Sequence, residues 1–403
     1  MKMRLVLLSF LLLFAVTMAA VLTRHIAAQG NGADGESDSE MARGELGRLL
    51  FWDPILSGHR DVACATCHHP DFAYADGREL SLGAGSVGLG PGRADASKGR
   101  IPVVKRNAPT VLNTAFNGLD DRRRRRGFDG TAASVNQAAA PMFWDKRARS
   151  LEAQALEPIK ALEEMRGTAY PEAVALDSVV ARLRAIPEYV ALFQKAFGAG
   201  TSIDAPQLAH AIAAFERTLV AMDSPFDRFR AGDTDALTEQ QLRGLDEFDD
   251  AGCDRCHDGI MFSDFDLHAE GVREHPRLAE ADAGGGRFRF RTPSLRNVAL
   301  TAPYMHNGTL ATLEAVLHFY DNGRSENPNV SNGRARRGDE RGRRVDDGVA
   351  RLDRDFRRVD NMSKSEMQDI IAFLESLTDS SFDKTIPARV PSRLPPGGLI
   401  RSH

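Results

Sequence analysis

Apolar residues recur at helical spacing along most of this chain. Leu208, Ile212, Phe215 and Leu219 mark one face of a helix over 206–222. Thr238 and Gln241 form a capping-box pattern ahead of Leu242, Leu245 and Phe248, and Ser363 and Glu366 do the same ahead of Ile370, Phe373, Leu374 and Leu377. Residues 151–162 and Pro187–Phe197 read as further helices. Strand-like alternation is scarce, and Gly-rich loops at 82–90 and 284–286 separate the helices. The fold class that follows is all-α. A boundary near 198–204 divides the chain in two, and no internal repeat shows beyond one short motif described below.

Two stretches interrupt this pattern. Residues 118–141 carry five consecutive arginines, and 324–360 are dense in Arg, Asp and Gly. Both read as solvated surface insertions, with docking of an acidic protein partner as the sharper alternative. A Pro-rich tail over 381–403 reads as extended and laid on the surface.

Composition is ordinary for a globular protein, with 42% hydrophobic and 27% charged residues in 403. That excludes a disordered or polytopic membrane chain. The N-terminus departs from it. Lys2 and Arg4 precede an apolar run over 5–22, followed by a polar, Gly-rich exit. Residues 1–29 therefore read as a signal peptide or, left uncleaved, a membrane anchor, and either places the body in the periplasm. That segment holds three basic and no acidic residues, so its removal takes the formal net charge from −4 to −7. Such a charge does not suit a nucleic-acid binder.

The 4 cysteines all fall in two motifs, Cys64-Ala65-Thr66-Cys67-His68 and Cys253-Asp254-Arg255-Cys256-His257. None is left for a disulfide framework. Cys-x-x-Cys-His is the attachment signal of c-type haem. Two thiols three residues apart can add to the two vinyl groups of one porphyrin, and the adjacent His reaches the iron. A redox dithiol does not need the His, and a single zinc site would need both motifs to converge. Two full copies in an exported chain favour two covalent haems, with His68 and His257 as proximal iron ligands.

Longer stretches surround the motifs. Leu50-Phe51-Trp52-Asp53 precedes the first. Asn107-Ala108-Pro109-Thr110-Val111-Leu112-Asn113 and Phe143-Trp144-Asp145 follow it. Ser224-Pro225-Phe226-Asp227 leads to the second. Arg291-Thr292-Pro293-Ser294-Leu295-Arg296-Asn297 and Ala302-Pro303-Tyr304-Met305-His306 come after it. Together they resemble the bacterial di-haem cytochrome c peroxidase superfamily, in particular its MauG-like members. The resemblance implies two cytochrome c-like haem domains, 40–203 and 204–380, packed around an inter-haem interface with one calcium ion between them. It implies a peroxidatic N-terminal haem and a second haem whose pocket includes His306.

In that family a Trp between the haems is followed at fixed spacing by Gln, Pro and Glu. Here Trp144 is followed ten, fourteen and twenty residues on by Gln154, Pro158 and Glu164. The resemblance makes Glu164 the acid/base that moves the peroxide proton, with Glu163 as its neighbouring competitor, and Gln154 the group that positions peroxide. Trp52 reads as a packing residue instead. The calcium assignment carries over to Asn107, Thr301 and Pro303.

Two positions depart from the typical peroxidases. The place of the second-haem Met is held by Tyr320, with His318 and Met305 as rivals, and the place of a removable distal His on the first haem is held by Ala84. His69 stands too close to His68 to serve. Both departures are similar to MauG. The expectation is an exported di-haem peroxidase reducing hydrogen peroxide, fed by a small cytochrome c or cupredoxin. The alternatives are a MauG-like oxidase, using peroxide equivalents and a high-valent di-haem state on a protein or small-molecule substrate, and an electron-transfer or redox-sensing cytochrome.

Overall fold

The structure, a computed structural model, describes residues 34–119, 136, 137, 140–333, 348–356, 359 and 362–400. The N-terminal apolar run, the arginines at 122–126 and much of 324–360 lie outside the described residues. Among the described residues no helix is long and apolar enough to cross a membrane.

The chain is mostly helical. In order the helices are α1 (Asp34–Trp52), α2 (Cys64–Cys67), α3 (Leu151–Ala155), α4 (Glu157–Lys160), α5 (Ala175–Arg184), α6 (Pro187–Phe197), α7 (Ala205–Thr218), α8 (Pro225–Arg230), α9 (Glu239–Asp250), α10 (Leu313–Asn322) and α11 (Lys364–Glu375). Two small antiparallel pairs accompany them, β1 (Ser86–Val87) with β2 (Ala94–Asp95), and β3 (Leu267–His268) with β4 (Phe290–Arg291).

The capping boxes act as the sequence predicts. Thr238 Oγ1 accepts from Gln241 N while Gln241 Oε1 accepts from Thr238 N, and Ser363 and Glu366 exchange the same pair of bonds. The stretch 151–162 does not form one helix. It breaks into α3 and α4, because Pro158 has no N–H to continue the ladder from Gln154. A wider π-type turn, Leu162–Arg166, follows.

One packing device occurs twice, although the sequence shows no repeat beyond the motif. Helix α1, ahead of the first Cys motif, crosses α7 at Gly47. A Cβ there would lie 1.9 Å from Ala211 O and 2.8 Å from Phe215 Cβ. Helix α9, ahead of the second motif, crosses α11 at Gly244, where a Cβ would lie 1.8 Å from Asp369 O and 2.9 Å from Phe373 Cβ. Only glycine permits either approach. The chain beyond each crossing is caught by an Asn in the left-handed region. Asn113 (φ 62°) pairs its amide with both backbone groups of Ala221, and Asn297 (φ 60°) accepts from Asp379 N. The matched Gly, Phe and Asn residues stand at different separations along the two halves, so the repeat does not show as a period in the sequence.

Apolar burial follows the same division. Leu46, Leu50, Ile159, Phe193, Leu208 and Ile212 form one cluster, and Phe51, Trp52, Tyr74 and Phe215 an adjoining one. Phe226, Phe248, Phe262 and Phe373 form another, with ring centroids 5.2–6.3 Å apart. The shared motifs bind these parts together. Buried Asp53 accepts from Tyr189 OH at 2.6 Å and from Ser392 Oγ at 2.6 Å. Asp227 caps α8 and holds Arg296 through two bonds of 2.8 and 2.9 Å.

Two surface expectations resolve differently. The tail is laid along the N-terminal half. Gly397 N donates to Trp52 O at 2.7 Å, Leu399 N to Asp61 O at 2.9 Å, and Val390 is fully buried. The end of 324–360 is not a solvated loop. Ala350, Leu352 and Phe356 are buried with Phe319 and Val330, because their side chains supply the apolar cover for α10.

Candidate active site

Both Cys motifs open onto one continuous cavity. The residues expected to attach haem, act on peroxide or hold calcium line it, whereas Trp52, His69, Ala84 and His318 do not. The motif residues Cys64, Cys67, His68, Cys253, Cys256 and His257 are there, with Trp144, Gln154, Pro158, Glu164, His306 and Tyr320, and Asn107, Thr301 and Pro303.

The donors fit a c-type haem at each motif. The four thiols are free. Burial pushes them up, Cys67 and Cys253 to about 12. A redox dithiol needs the opposite shift, so this environment suits thiols consumed as thioethers. His68 Nδ1 lies 3.0 Å from Tyr74 O, and His257 Nδ1 lies 3.0 Å from Phe262 O. A carbonyl only accepts, so each Nδ1 carries the proton and each Nε2 keeps its lone pair for a metal. Burial lowers both imidazole pKa values and keeps the rings neutral.

Trp144 sits in a turn closed by the Met142–Ala148 bridge. Its indole Nε1 donates to Asn107 O at 2.9 Å, and its own carbonyl accepts from Arg291 N at 2.7 Å. Asn107 N in turn donates to His306 O at 2.8 Å. The indole is thus tied to segments from both halves of the chain. His306 stacks on Phe290 at 3.6 Å, and burial pushes its pKa down to about 3. Arg106 braces the same region, with bonds of 2.6 and 2.8 Å to Asp282 and 2.7 Å to Asp145. Its guanidinium holds the Asp282 carboxyl down at about 2 against burial.

Gln154 on α3 and Pro158 on α4 face the cavity beside the π-type turn that carries Glu163 and Glu164. The loop at 82–90 passes directly beneath that turn. Ala84 N donates to Glu164 O at 2.7 Å, and a Cβ on Gly83 would meet that oxygen at 2.1 Å. Burial, then the neighbouring Glu163 charge, pushes the Glu164 carboxyl up to about 7. At that value the group is poised to take or give a proton near neutral pH. His69 is occupied elsewhere. Its Nδ1 accepts from Asp71 N and its ring meets the Trp52 edge at 5.4 Å.

Tyr320 on α10 also faces the cavity, while His318 turns outward with 61% of its side chain exposed. Met305 still lines the cavity. Tyr320 OH donates to Glu270 Oε1 at 3.0 Å, and burial raises the phenol pKa well above its usual range. Asn107 Nδ2 lies 2.7 Å from Arg78 O and 3.3 Å from Pro303 O. Rotating the amide brings its oxygen towards those carbonyls, the hard donor set that calcium prefers.

Sequence reasoning missed several cavity residues. Glu270 follows His268 at strand spacing, which puts both on one side. His268 lies 3.0 Å from Asp264 and 3.0 Å from Asp353 and is thereby kept protonated. Asp353 belongs to 324–360, so that stretch contributes to the wall of the site. Glu216 lies on the same face of α7 as Ile212, and that position inside an apolar stripe was its signal.

Two Cys-x-x-Cys-His turns with neutral, oriented imidazoles on one cavity define a di-haem c-type oxidoreductase. The comparisons agree. The family model for di-haem cytochrome c peroxidase matches residues 41–235. The methylamine utilization protein MauG of Methylorubrum extorquens is 35% identical over 349 residues, 85% of this chain and 80% of that one. The cytochrome c551 peroxidase of Pseudomonas aeruginosa is 36% identical over 316 residues, 75% of this chain and 78% of that one. A solved MauG-like protein associated with microbial copper homeostasis superposes with a TM-score of 0.62 at 27% identity, covering 84% and 90% of the two chains. The diheme peroxidase BthA of Burkholderia thailandensis gives 0.57 at 25% identity, covering 84% and 86%. The chain belongs to the di-haem cytochrome c peroxidase and MauG family of oxidoreductases, whose members carry two haems.

Proposed function

We propose that this chain reduces hydrogen peroxide in the part of the cavity bounded by His68, Gln154, Pro158 and Glu164. The observation that carries the reading is a buried carboxyl poised near neutrality, Glu164, on the same cavity as a neutral, oriented His68. Haem iron, when bound at His68, supplies the peroxide-binding and electron-exchanging centre. Glu164 would accept a proton from one oxygen of peroxide and return it to the other, within an overall reduction that takes up two electrons and two protons and gives two waters. Gln154 orients peroxide by hydrogen bonding, and Pro158 offers a surface with no competing donor. Trp144, bonded to segments of both halves, is the path for electrons from the His257 end. A small cytochrome c or cupredoxin is the donor.

A second reading is favoured by two residues. Tyr320 faces the cavity where a thioether is usual, and Ala84 offers no side-chain ligand near Glu164. Phenolate favours oxidised iron over reduced. A site so built suits a MauG-like oxidation of a protein or small-molecule substrate by peroxide equivalents, with no activating release of a distal His. Both readings share two haem units, 40–203 and 204–380, and two glycine-mediated helix crossings, the first of which joins α1 to α7 across that boundary. Both take one calcium ion at Asn107, Thr301 and Pro303, and export to the periplasm through the N-terminal segment.

Adding peroxide to the fully oxidised, haem-loaded protein tests the proposal. Altered haem spectra support it, and unchanged spectra would leave only an electron-transfer or sensing role. Return of the initial spectrum on adding a reduced small cytochrome favours the peroxidase, whereas persistence of the altered state without a donor favours the oxidase.

A further inference from the structure

Glu216 has no place in the chemistry described so far. It lies on α7, only 4% exposed, and lines the cavity together with Ile212. No hydrogen-bond partner lies within reach of its Oε2 among the described residues. Its chain neighbour Arg217 offsets the burial only in part, because that guanidinium turns to Glu152 on α3 at 2.6 Å, whose own charge pushes the Glu216 pKa up. On α1, Arg48 is held by Asp383 at 2.6 Å and lies over Phe215. On α5, Arg184 is bonded to Ile203 O. After burial itself, Glu216 is the largest influence on the Cys64 thiol, which places the carboxyl close to the first attachment site.

The repeated helix crossing gives this acid an apolar counterpart in the second half. Gly47 meets Ala211 and Phe215, and Gly244 meets Asp369 and Phe373. The residue after the Phe is Glu216 on α7 and Leu374 on α11, and the residue after the other contact is Ile212 or Ile370. All four line the cavity. The second half fills with leucine the position that the first half fills with a carboxyl. Isolated burial of an acid is costly, and the cost falls when a positive charge appears beside it.

We propose that Glu216 couples the redox state of the N-terminal haem to one proton, releasing it to solvent when that haem gives up an electron and regaining it when an electron returns. The carboxyl is neutral beside the reduced haem, and its carboxylate offsets the added positive charge of the oxidised one. Burial, which pushes Glu216 up to about 8, brings this exchange into the physiological range. Glu164, poised lower on the same cavity, acts on peroxide and titrates separately.

The test is a redox titration of each haem's EPR signal in the full chain loaded with both haems, repeated across pH. In the wild type the haem that responds to peroxide should lose potential as pH rises through the region around 8. Glu216→Gln should hold its potential there at the wild-type low-pH level. Glu216→Leu, which copies the second half, should do the same, and Glu164→Gln should keep the fall. An undiminished fall in both Glu216 variants overturns the proposal and leaves the peroxide reading intact. Failure of both variants to bind the first haem overturns it too, by making Glu216 structural. Loss of the fall at the haem that ignores peroxide would overturn the choice of peroxidatic haem instead.

Discussion

At Glu164 burial, joined by the neighbouring Glu163 charge, turns a carboxyl that would be an ordinary surface acid into one poised near neutrality, its pKa pushed up to about 7. In the proposed role its ionised form accepts peroxide's proton. Turnover with peroxide should therefore rise with pH through that value. Glu164→Gln should flatten this limb and lower the rate roughly 10²- to 10⁴-fold in stopped-flow measurements. Tyr320→Met should raise the potential of the second haem and change its ligand-field bands, read by spectroelectrochemistry. An identical spectrum and potential would remove Tyr320 from the iron. These residues were legible because each sits at a fixed count from a recognisable neighbour, Trp144 or His306. Glu216 and Glu270 were not, since their meaning depends on which surfaces close over them. A Glu four residues after Ile212 announces a buried acid only once α3 and α7 are seen to share the cavity wall.

At the scale of elements, capping boxes and proline gave the helices their starts, and Pro158 gave the break that sequence periodicity overlooked. The glycine crossings were invisible because a missing side chain leaves no periodic mark. Their consequence is measurable. Gly47→Ala places a methyl on Ala211 O and forces α1 away from α7, at a cost of about 3 kcal/mol or more. The melting temperature of the haem-loaded protein should drop by several degrees, whereas Ala at the exposed Gly232, where a side chain meets nothing, should cost little beyond backbone strain. An unchanged melting temperature in Gly47→Ala would mean that the crossing relaxes freely.

Across the whole molecule, Arg106 joins segments distant in the chain by gripping Asp145 and Asp282 beneath the His306–Phe290 stack. The Asp282 carboxyl is depressed to about 2 from an unfolded value of about 3.9. Its contribution is therefore complete above the unfolded value and is lost as pH falls through the folded one, and it amounts to about 2 kcal/mol. Asp282→Asn should remove that acid-side loss from urea midpoints compared between pH 5 and 3, and should lower stability at pH 7. It should also slow electron transfer between the haems, because the segment beneath Trp144 loosens. An interhaem rate equal to wild type would confine Arg106 to stability.

The strap formed by the tail bears on the order in which the protein matures. Trp52, Asp53, Asp61 and Thr66 all bond to residues between 392 and 399, so the ground around Cys64 and Cys67 is finished only when a segment far along the chain has docked. Without that segment the first pair of thiols would stand in an incomplete wall, while the second pair lies against a core built without the tail. Deleting residues 381–403 should thus leave the second attachment near normal and impair retention of a native first haem, visible as a lowered haem-to-protein ratio and early proteolysis within the first half. Equal loading of both sites in the truncated chain would show that the strap is dispensable for maturation. The strap ties closure of the wall around the first thiol pair to a segment 331 residues further along the chain, so damage to that distant segment is felt first at Cys64 and Cys67.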